Sequence, residues 1–497
     1  MNKNFVLPAL TYGVCGVSAL VSAAEPSSER TPNIVFIIAD DLGYGDISCY
    51  GQQKFNTPNI DRLAQEGLRF TQCYSGTTVS APSRACLISG LHSGHAPIRG
   101  NKEVEPEGQA ALPEGMASIF KVFKDAGYVT GAFGKWGLGS PGSEGDPNKQ
   151  GIDDFFGYNC QLLAHNYYAD HLWENNRRIE LTGNYNGGYG VYTQDTIHKK
   201  GLEFIEKNKD KPFFLFLPYV IPHAELIVPE DSIIQKFRGL YPEKPFKGCD
   251  AGCKMFRKGG YCSQPEPHAT FAAMIYRLDV YVGQVVAKLK ELGLYENTIL
   301  VFTSDNGPHK EGGADPDFFN SNGGFRGYKR DVYEGGIRVP FIVVWPGIVQ
   351  GGETDFMCSF WDMMPTFAAL TGSEAGTTDG ISLVPLLTGK GEQKKHDYFY
   401  FEFQELGGRQ AVRKGDWKLI RLNASKGEAS TYELYNLAVD PAEQQNLFPS
   451  EPAKVKELKN LMEEAHTYNP DWPLLEEEWK MKTGESVMEK LLQTLTL

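Results

Sequence analysis

An Asp-Asp pair and an Asp-Asn pair each stand behind an apolar run. Asn33-Ile-Val-Phe-Ile-Ile-Ala39 leads into Asp40-Asp41, and Thr298-Ile-Leu-Val-Phe302 leads through Thr303-Ser304 into Asp305-Asn306-Gly307. Each apolar run has the length and β-branched content of a strand buried on both faces. Residues at the C-terminal end of such strands sit where open α/β sheets bind ligands. Adjacent like charges are costly there unless a cation joins them, and hard cations take oxygen ligands. Together the two pairs offer four side-chain donors, Asp40, Asp41, Asp305 and Asn306. A solvated turn is the plainer use of either pair taken alone. Between them lies Ser80-Ala81-Pro82-Ser83-Arg84, ahead of the apolar Ala85-Cys86-Leu87-Ile88. Pro and Ser in a first helical turn are ordinary start chemistry. The same placement also sets a hydroxyl at a helix N-terminus, where free N–H groups and the helix dipole favour an anion. Arg84, one turn in, adds a planar cationic fork.

Further candidates follow strand patterns. Val129 to Phe133 reads as a strand running into Gly134-Lys135-Trp136-Gly137, and a lysine among glycines can approach an oxyanion closely; a surface lysine is the alternative. Pro212 to Leu217 is a third apolar run, ending at Ile221-Pro222-His223. A histidine at a strand end can donate to a leaving-group oxygen, although a lone histidine is more often structural. Asp170, His171 and Trp173 share one polar aromatic stretch. An apolar ring face beside polar partners suits a sugar and equally suits a packed loop. Lys329 lies in Gly324-Phe-Arg-Gly327-Tyr-Lys329, ahead of Glu334-Gly-Gly-Ile-Arg338-Val-Pro340.

The 497 residues allow one large domain and a smaller one. The net charge of −13 disfavours nucleic acid and anionic membrane as partners. It also requires a local cationic pocket for any anionic substrate. Residues 1–24 read as a secretory signal peptide, with Lys3 ahead of a mostly apolar stretch and Ser22-Ala23-Ala24 at its end. No later stretch is apolar enough to span a membrane. Export permits disulfides; Cys249, Cys253 and Cys262 lie together in a Gly/Lys-rich insert as disulfide or free thiol, with no pairing fixed. Helices are expected over 113–126 and 267–292, with short strands at 398–403, 410–414, 417–422 and 432–436 and a helix near 452–467. A Gly/Thr/Asp-rich stretch near 372–380 is expected to divide a larger domain, 32–375, from a C-terminal subdomain, 380–497.

Over roughly residues 32–450 the chain resembles the formylglycine-dependent (type I) sulfatase family. The resemblance rests on Ser80-Ala-Pro-Ser-Arg84, Asp40-Asp41, Gly134-Lys135-Trp136, Gly151-Ile-Asp-Asp-Phe-Phe-Gly157, Pro222-His223, Asp305-Asn306 and Glu334-Gly-Gly-Ile-Arg338-Val-Pro340 in family order. It implies an alkaline-phosphatase-like α/β fold: a mixed sheet sandwiched by helices, plus a small C-terminal α+β subdomain with an antiparallel sheet. It implies calcium on Asp40, Asp41, Asp305, Asn306 and the modified residue 80. Residue 80 is expected as 3-oxoalanine (formylglycine), made from Ser80 by an anaerobic radical-type maturation enzyme. The implied reaction is attack of the aldehyde hydrate on sulfur. Arg84, Lys135, Lys329 and the helix N-terminus would counter the charge, and His223, with Lys329, would serve the departing sugar oxygen. Glu334 and Arg338 are expected to be structural. The family shows His where this chain has Gly137, and His309 is a candidate substitute that would also face the substrate. Asp170, His171 and Trp173 are expected on the sugar, with Arg409 and Gln410 as further candidates. The pattern is most similar to bacterial carbohydrate sulfatases acting at the 6-position of galactose or N-acetylgalactosamine, exported to the periplasm or cell surface. A phosphatase or phosphonate hydrolase of the same superfold, a phosphoethanolamine transferase and a non-catalytic sulfated-glycan-binding protein are the alternatives.

Overall fold

The computed structural model describes residue 1 and residues 31–483, and the expected signal peptide at 1–24 lies outside the described residues apart from Met1. From Pro32 onward the described residues belong to one contact-dense unit. In chain order its main elements are β1 (Asn33–Asp40), α1 (Pro58–Glu66), β2 (Leu68–Tyr74), α2 (Ser80–Ser89), α3 (Ile119–Asp125), β3 (Val129–Lys135), β4 (Asp154–Tyr158), β5 (His171–Glu174), β6 (Arg177–Glu180) and α4 (Thr193–Lys207). They continue with β7 (Phe213–Pro222), α5 (Pro267–Glu291), β8 (Thr298–Ser304), β9 (Arg338–Val344), β10 (Gly352–Thr354), β11 (Cys358–Ser359) and α6 (Met363–Thr371). The C-terminal part holds β12 (Phe399–Phe403), β13 (Arg409–Lys414), β14 (Trp417–Leu422), β15 (Thr431–Asn436), α7 (Pro452–Ala465) and α8 (Glu476–Thr483).

The large sheet runs β10-β2-β9-β8-β1-β7-β3-β4-β5-β6, with β11 pairing β2. Its central five strands, β8-β1-β7-β3-β4, are parallel, while β9, β5 and their outer partners supply the antiparallel pairs. The continuous apolar sequence of β1 follows from burial on both faces. Val35, Ile37 and Ala39 enter the core under α4 and α5, and Ile34, Phe36 and Ile38 enter the core under α2, α3 and α6. This is the expected mixed sheet sandwiched by helices. Parallel strands end on one edge, so Asp40, Lys135, Pro222 and Ser304 arrive together there.

The second sheet, β12-β13-β14-β15, is antiparallel throughout. Its alternation is clean. Phe399, Phe401, Ala411, Ile420 and Tyr435 pack toward Tyr74 and Trp361, while Tyr400, Val412, Leu419 and Leu434 face α7. A buried ion cluster ties this sheet to the segment before β9. Lys418 Nζ lies 2.9 Å from both Glu334 Oε1 and Glu443 Oε1, and Glu334 also pairs with Arg338 and accepts from Tyr74.

The helix expected over 113–126 forms only over Ile119–Asp125. Pro113 and Gly115, the latter at φ +74°, keep the approach irregular, and the Ser118 side chain caps the shortened helix at Lys121 N–H. β3 and β7 run further than their apolar cores suggest, to Lys135 and Pro222. Cys249 is disulfide-bonded to Cys253, and Cys262 stays a buried free thiol. Among the described residues no helix is long and apolar enough to cross a membrane.

Candidate active site

The edge where the parallel strands end gathers Asp40, Asp41, Ser80, Arg84, Lys135, His223, Asp305, Asn306 and Lys329 from among the residues singled out from the sequence. Ser80 opens α2, a helix buried along its whole length. The Ser83 hydroxyl donates to Asp305 O at 2.6 Å and accepts from Gly76 N–H at 3.0 Å, which pins the helix start against the loop after β8. Ser80 Oγ donates to Asp40 Oδ1 at 2.7 Å, and Lys135 Nζ donates to Asp40 Oδ2 at 2.6 Å. Arg84 reaches Asp305 Oδ2 through Nε at 3.0 Å and Nη2 at 2.9 Å, and Asp40 Oδ2 at 3.5 Å. Its Nη1 donates to Lys135 O at 2.7 Å, so one guanidinium braces the ends of β1, β3 and β8.

Asp41 adopts φ +61°, a left-handed conformation that a non-glycine residue adopts at a cost. That turn aims Asp41 back at the Asp305-Asn306 pair. Its N–H donates to Asp305 Oδ1 at 3.0 Å, and Asn306 Nδ2 donates to Asp41 Oδ1 at 2.7 Å. Asn306 Oδ1 is buried without a partner among the described residues. Asp40, Asp41, Asp305 and Asn306 all have zero exposure. Burial raises Asp40, but the charges of Lys135, His223, Arg84 and Lys329 overcome it and hold the carboxyl well below the ordinary range. Burial and the Asp40 charge push Asp305 up to about 7, with Arg84 opposing. Three converging carboxylates and an unpartnered amide oxygen make an oxygen-only donor set, the kind that suits calcium or magnesium. The residues therefore fit a hard divalent cation.

Lys329, His223 and Glu311 form the opposite wall. Lys329 Nζ is 2.9 Å from Asp41 Oδ2, 3.0 Å from Glu311 Oε2 and 3.2 Å from His223 Nε2. Burial lowers the Lys329 ammonium, but Asp41 and Glu311 outweigh it and raise its pKa. His223 Nδ1 faces the Ala224 carbonyl, which can only accept, so Nδ1 carries the proton and Nε2 presents a lone pair to Lys329. Burial, then the Lys329 charge, keeps His223 well below its usual pKa. Lys329 therefore keeps its proton and donates to the His223 Nε2 lone pair across 3.2 Å. Lys135 is also lowered by burial, with Asp40 opposing.

Other candidates lie elsewhere. His309 Nδ1 accepts from Glu311 N–H and Nε2 donates to Pro222 O, both at 3.1 Å, so neither ring nitrogen is free. His171 joins Asp170 and Glu107 through its two nitrogens, and Trp173 Nε1 donates to Glu107 at 2.8 Å. These three therefore fasten the short ribbon Glu103–Val104/Gly108–Gln109, and among the described residues none of their hydrogen bonds reaches the carboxylate centre. Arg409 pairs with Asp331 and donates to Arg330 O at 2.8 Å, one residue from Lys329. Gln410 is bound to Tyr400 in the second sheet. Glu311 was not singled out from the sequence; its acidity in the loop after Asn306 is the only signal it gives. His165, stacked on His223 at 5.0 Å between ring centroids, likewise carries no sequence signal.

Residues 32–373 match the family described as Sulfatase, and residues 323–468 match the one described as N-sulphoglucosamine sulphohydrolase, C-terminal. The chain is 29% identical to an N-acetylgalactosamine-6-O-sulfatase of Bacteroides thetaiotaomicron, covering 93% of this chain and 98% of the relative. It is 31% identical to human arylsulfatase A, covering 86% and 85%. Among solved structures it is similar to Ps i-CgsB in complex with a neocarrahexaose, with a TM-score of 0.73, 27% identity, and coverage of 91% and 98%.

Proposed function

The chain belongs to the sulfatase family and is a sulfuric ester hydrolase, and from that premise we propose that it removes sulfate from carbohydrate, with the 6-O-sulfate of galactose or N-acetylgalactosamine as the preferred position. The observation that carries the reading is the oxygen of residue 80, 2.7 Å from Asp40 Oδ1, in a cluster where Arg84 and Lys135 pair with Asp40 and Lys329 pairs with Asp41. In a protein of charge −13 these three cations are the local attraction a sulfate ester needs. The 6-sulfated substrate is supported by the bacterial relative's activity on N-acetylgalactosamine 6-sulfate.

Residue 80 acts as formylglycine hydrate, derived from Ser80 by loss of two hydrogens and addition of water. Asp40, Asp41, Asp305 and Asn306 would hold calcium, which supplies a lowered proton affinity at the residue-80 oxygen and charge neutralisation at the sulfate. Asp40 stays ionised and orients the residue-80 oxygen through the 2.7 Å bond. Lys135 and Arg84 are fixed before substrate arrives, so they oppose the growing negative charge without reorganising. On the far wall Lys329 Nζ, held by its 3.2 Å hydrogen bond to His223 Nε2, carries the proton that the pair delivers to the departing sugar oxygen. Burial of the whole group excludes bulk water from the reacting centre. Export places the enzyme in the periplasm or at the cell surface. The test is sulfate release from a panel of 6-sulfated galactose, N-acetylgalactosamine and N-acetylglucosamine. Turnover of the first two ahead of the third is expected; release of phosphate from phosphate esters with none of sulfate would overturn the reading.

A further inference from the structure

The loop beside Lys135 holds buried amides that none of the described residues satisfies. The pairing of β3 with β4 continues past the strand ends, with Trp136 N–H donating to Tyr158 O at 2.9 Å and Gly137 N–H to Asn159 O at 3.0 Å. Residues 135–137 and 158–161 therefore run side by side. Gly137 sits at φ +70°, and a Cβ placed on it would lie 2.2 Å from Gln161 Nε2 and 2.9 Å from Gln161 Cδ. The Gln161 carboxamide thus fills the space a side chain at position 137 would take. Gln161 N–H donates to Gln109 Oε1 at 3.1 Å, which fixes the loop against the Glu103–Gln109 ribbon.

Gln161, Asn159 and Gln109 are 7%, 1% and 2% exposed. Among the described residues Gln161 Nε2, Gln109 Nε2 and both amide atoms of Asn159 have no hydrogen-bond partner. Buried polar groups in native proteins are almost always bonded, so four open positions in one loop system call for a ligand. Gln161 Nε2 and Gln109 Nε2 are donors only; Gln161 lies on the segment that runs beside Lys135, a third donor, and Gln109 is joined to that segment through the Gln161 N–H. Donors without matching acceptors suit an oxygen-rich anion; the donor-and-acceptor amide of Asn159 suits a hydroxyl beside it.

We propose that Gln161 is a substrate-binding residue whose Nε2–H donates to an oxygen of the bound sulfate group, in the space opened by Gly137. The inference rests on the sulfatase reading above. An amide in this position does not titrate, so it holds the anion as a fixed donor and takes no proton from the residue-80 hydroxyls.

The test uses the mature, calcium-loaded protein and inorganic sulfate as probe, with affinity measured by calorimetry and by inhibition of sulfate-ester turnover. Gln161→Met keeps the side-chain length and removes the donor. It is expected to weaken sulfate binding about 10- to 100-fold, the scale for losing one hydrogen bond to a charged group, with an unchanged melting temperature. Gln161→Glu is expected to weaken it further by repulsion. Gln161→Met or Gln161→Leu, neither of which has a donor, binding sulfate within twofold of the parent would overturn the inference, and the second variant serves if the first does not fold. A parent that hydrolyses sulfate esters while both variants bind sulfate normally refutes the role of Gln161 alone. A parent that neither binds sulfate nor hydrolyses its esters overturns the functional reading, and this inference with it.

Discussion

Lys135→Met separates what holds the site together from what makes it reactive. The ammonium lies 2.6 Å from Asp40 Oδ2, and both side chains are at most 1% exposed. At an effective dielectric of about 20, unit charges that close attract by roughly 6 kcal/mol. Removing one partner of a buried pair typically costs about 3–5 kcal/mol, because the remaining charge stays buried. Arg84 Nη2, 3.5 Å from the same oxygen, stays in place, so the lower end is expected, about 3 kcal/mol. The loss should be largest in chelator and shrink in calcium, since a bound cation neutralises Asp40 as well. The double variant Asp40→Asn/Lys135→Met removes both charges and should recover much of the stability in chelator, as coupled neighbours do. Thermal melts in chelator and in calcium read the first effect. Turnover in saturating calcium reads the second, with an expected loss of about 100- to 1000-fold, the scale for one preorganised donor. A variant that melts with the parent in chelator and keeps turnover within threefold would refute both the pairing energetics and the role of Lys135.

Lys418→Met should cost about 3–5 kcal/mol, because Glu334 and Glu443 are left facing each other with their shared cation gone; chemical denaturation reads it, and a loss under about 1 kcal/mol would contradict the account. His466, between Glu402 Oε2 at 2.6 Å and Glu478 Oε1 at 2.7 Å, has its pKa lowered by burial but raised further by the two carboxylates, to about 9. A folded value above the unfolded one means the stabilisation is complete below about 6.5 and lost as pH rises through about 9, at most roughly 3 kcal/mol. Raising pH from 7 to 10 should therefore expose 466–483 to limited proteolysis, and His466→Asn should show no such pH step. Chelation should lower the melting temperature and added calcium restore it, by roughly 3 kcal/mol at a hundredfold excess over the dissociation constant; a melt indifferent to both would contradict the cation site.

The carboxylate centre was legible because its residues obey a local rule. Asp40, Lys135, His223 and Asp305 each follow an apolar run, and five parallel strands bring such positions to one edge. Ser80 was legible as a helix start. The expected pairing role of Glu334 and Arg338 also holds, through Tyr74 and Lys418. What escaped depends on contacts between segments without periodicity. Glu311 matters because Lys329 and Arg330 converge on it, at 3.0 and 2.6 Å. Glu107 sits in a Glu-Pro-Glu stretch that reads only as polar loop, yet it engages His171 and Trp173, the pair that by composition suits a sugar. The carboxamides of Asn159 and Gln161 gain meaning only beside Gly137. The helix over 113–126 is shortened because its apolar spacing extends across Pro113 and Gly115, and backbone geometry prevails over pattern there.

The central claim is that the oxygen 2.7 Å from Asp40 belongs to an oxidised residue. The most direct measurement is the mass of the peptide containing Ser80, taken from the active protein produced in its own host. Loss of two hydrogens at Ser80 is predicted, in proportion to the sulfate-ester turnover of the preparation. Full turnover from protein whose Ser80 is wholly unmodified would contradict the account and move the chemistry to a plain serine nucleophile.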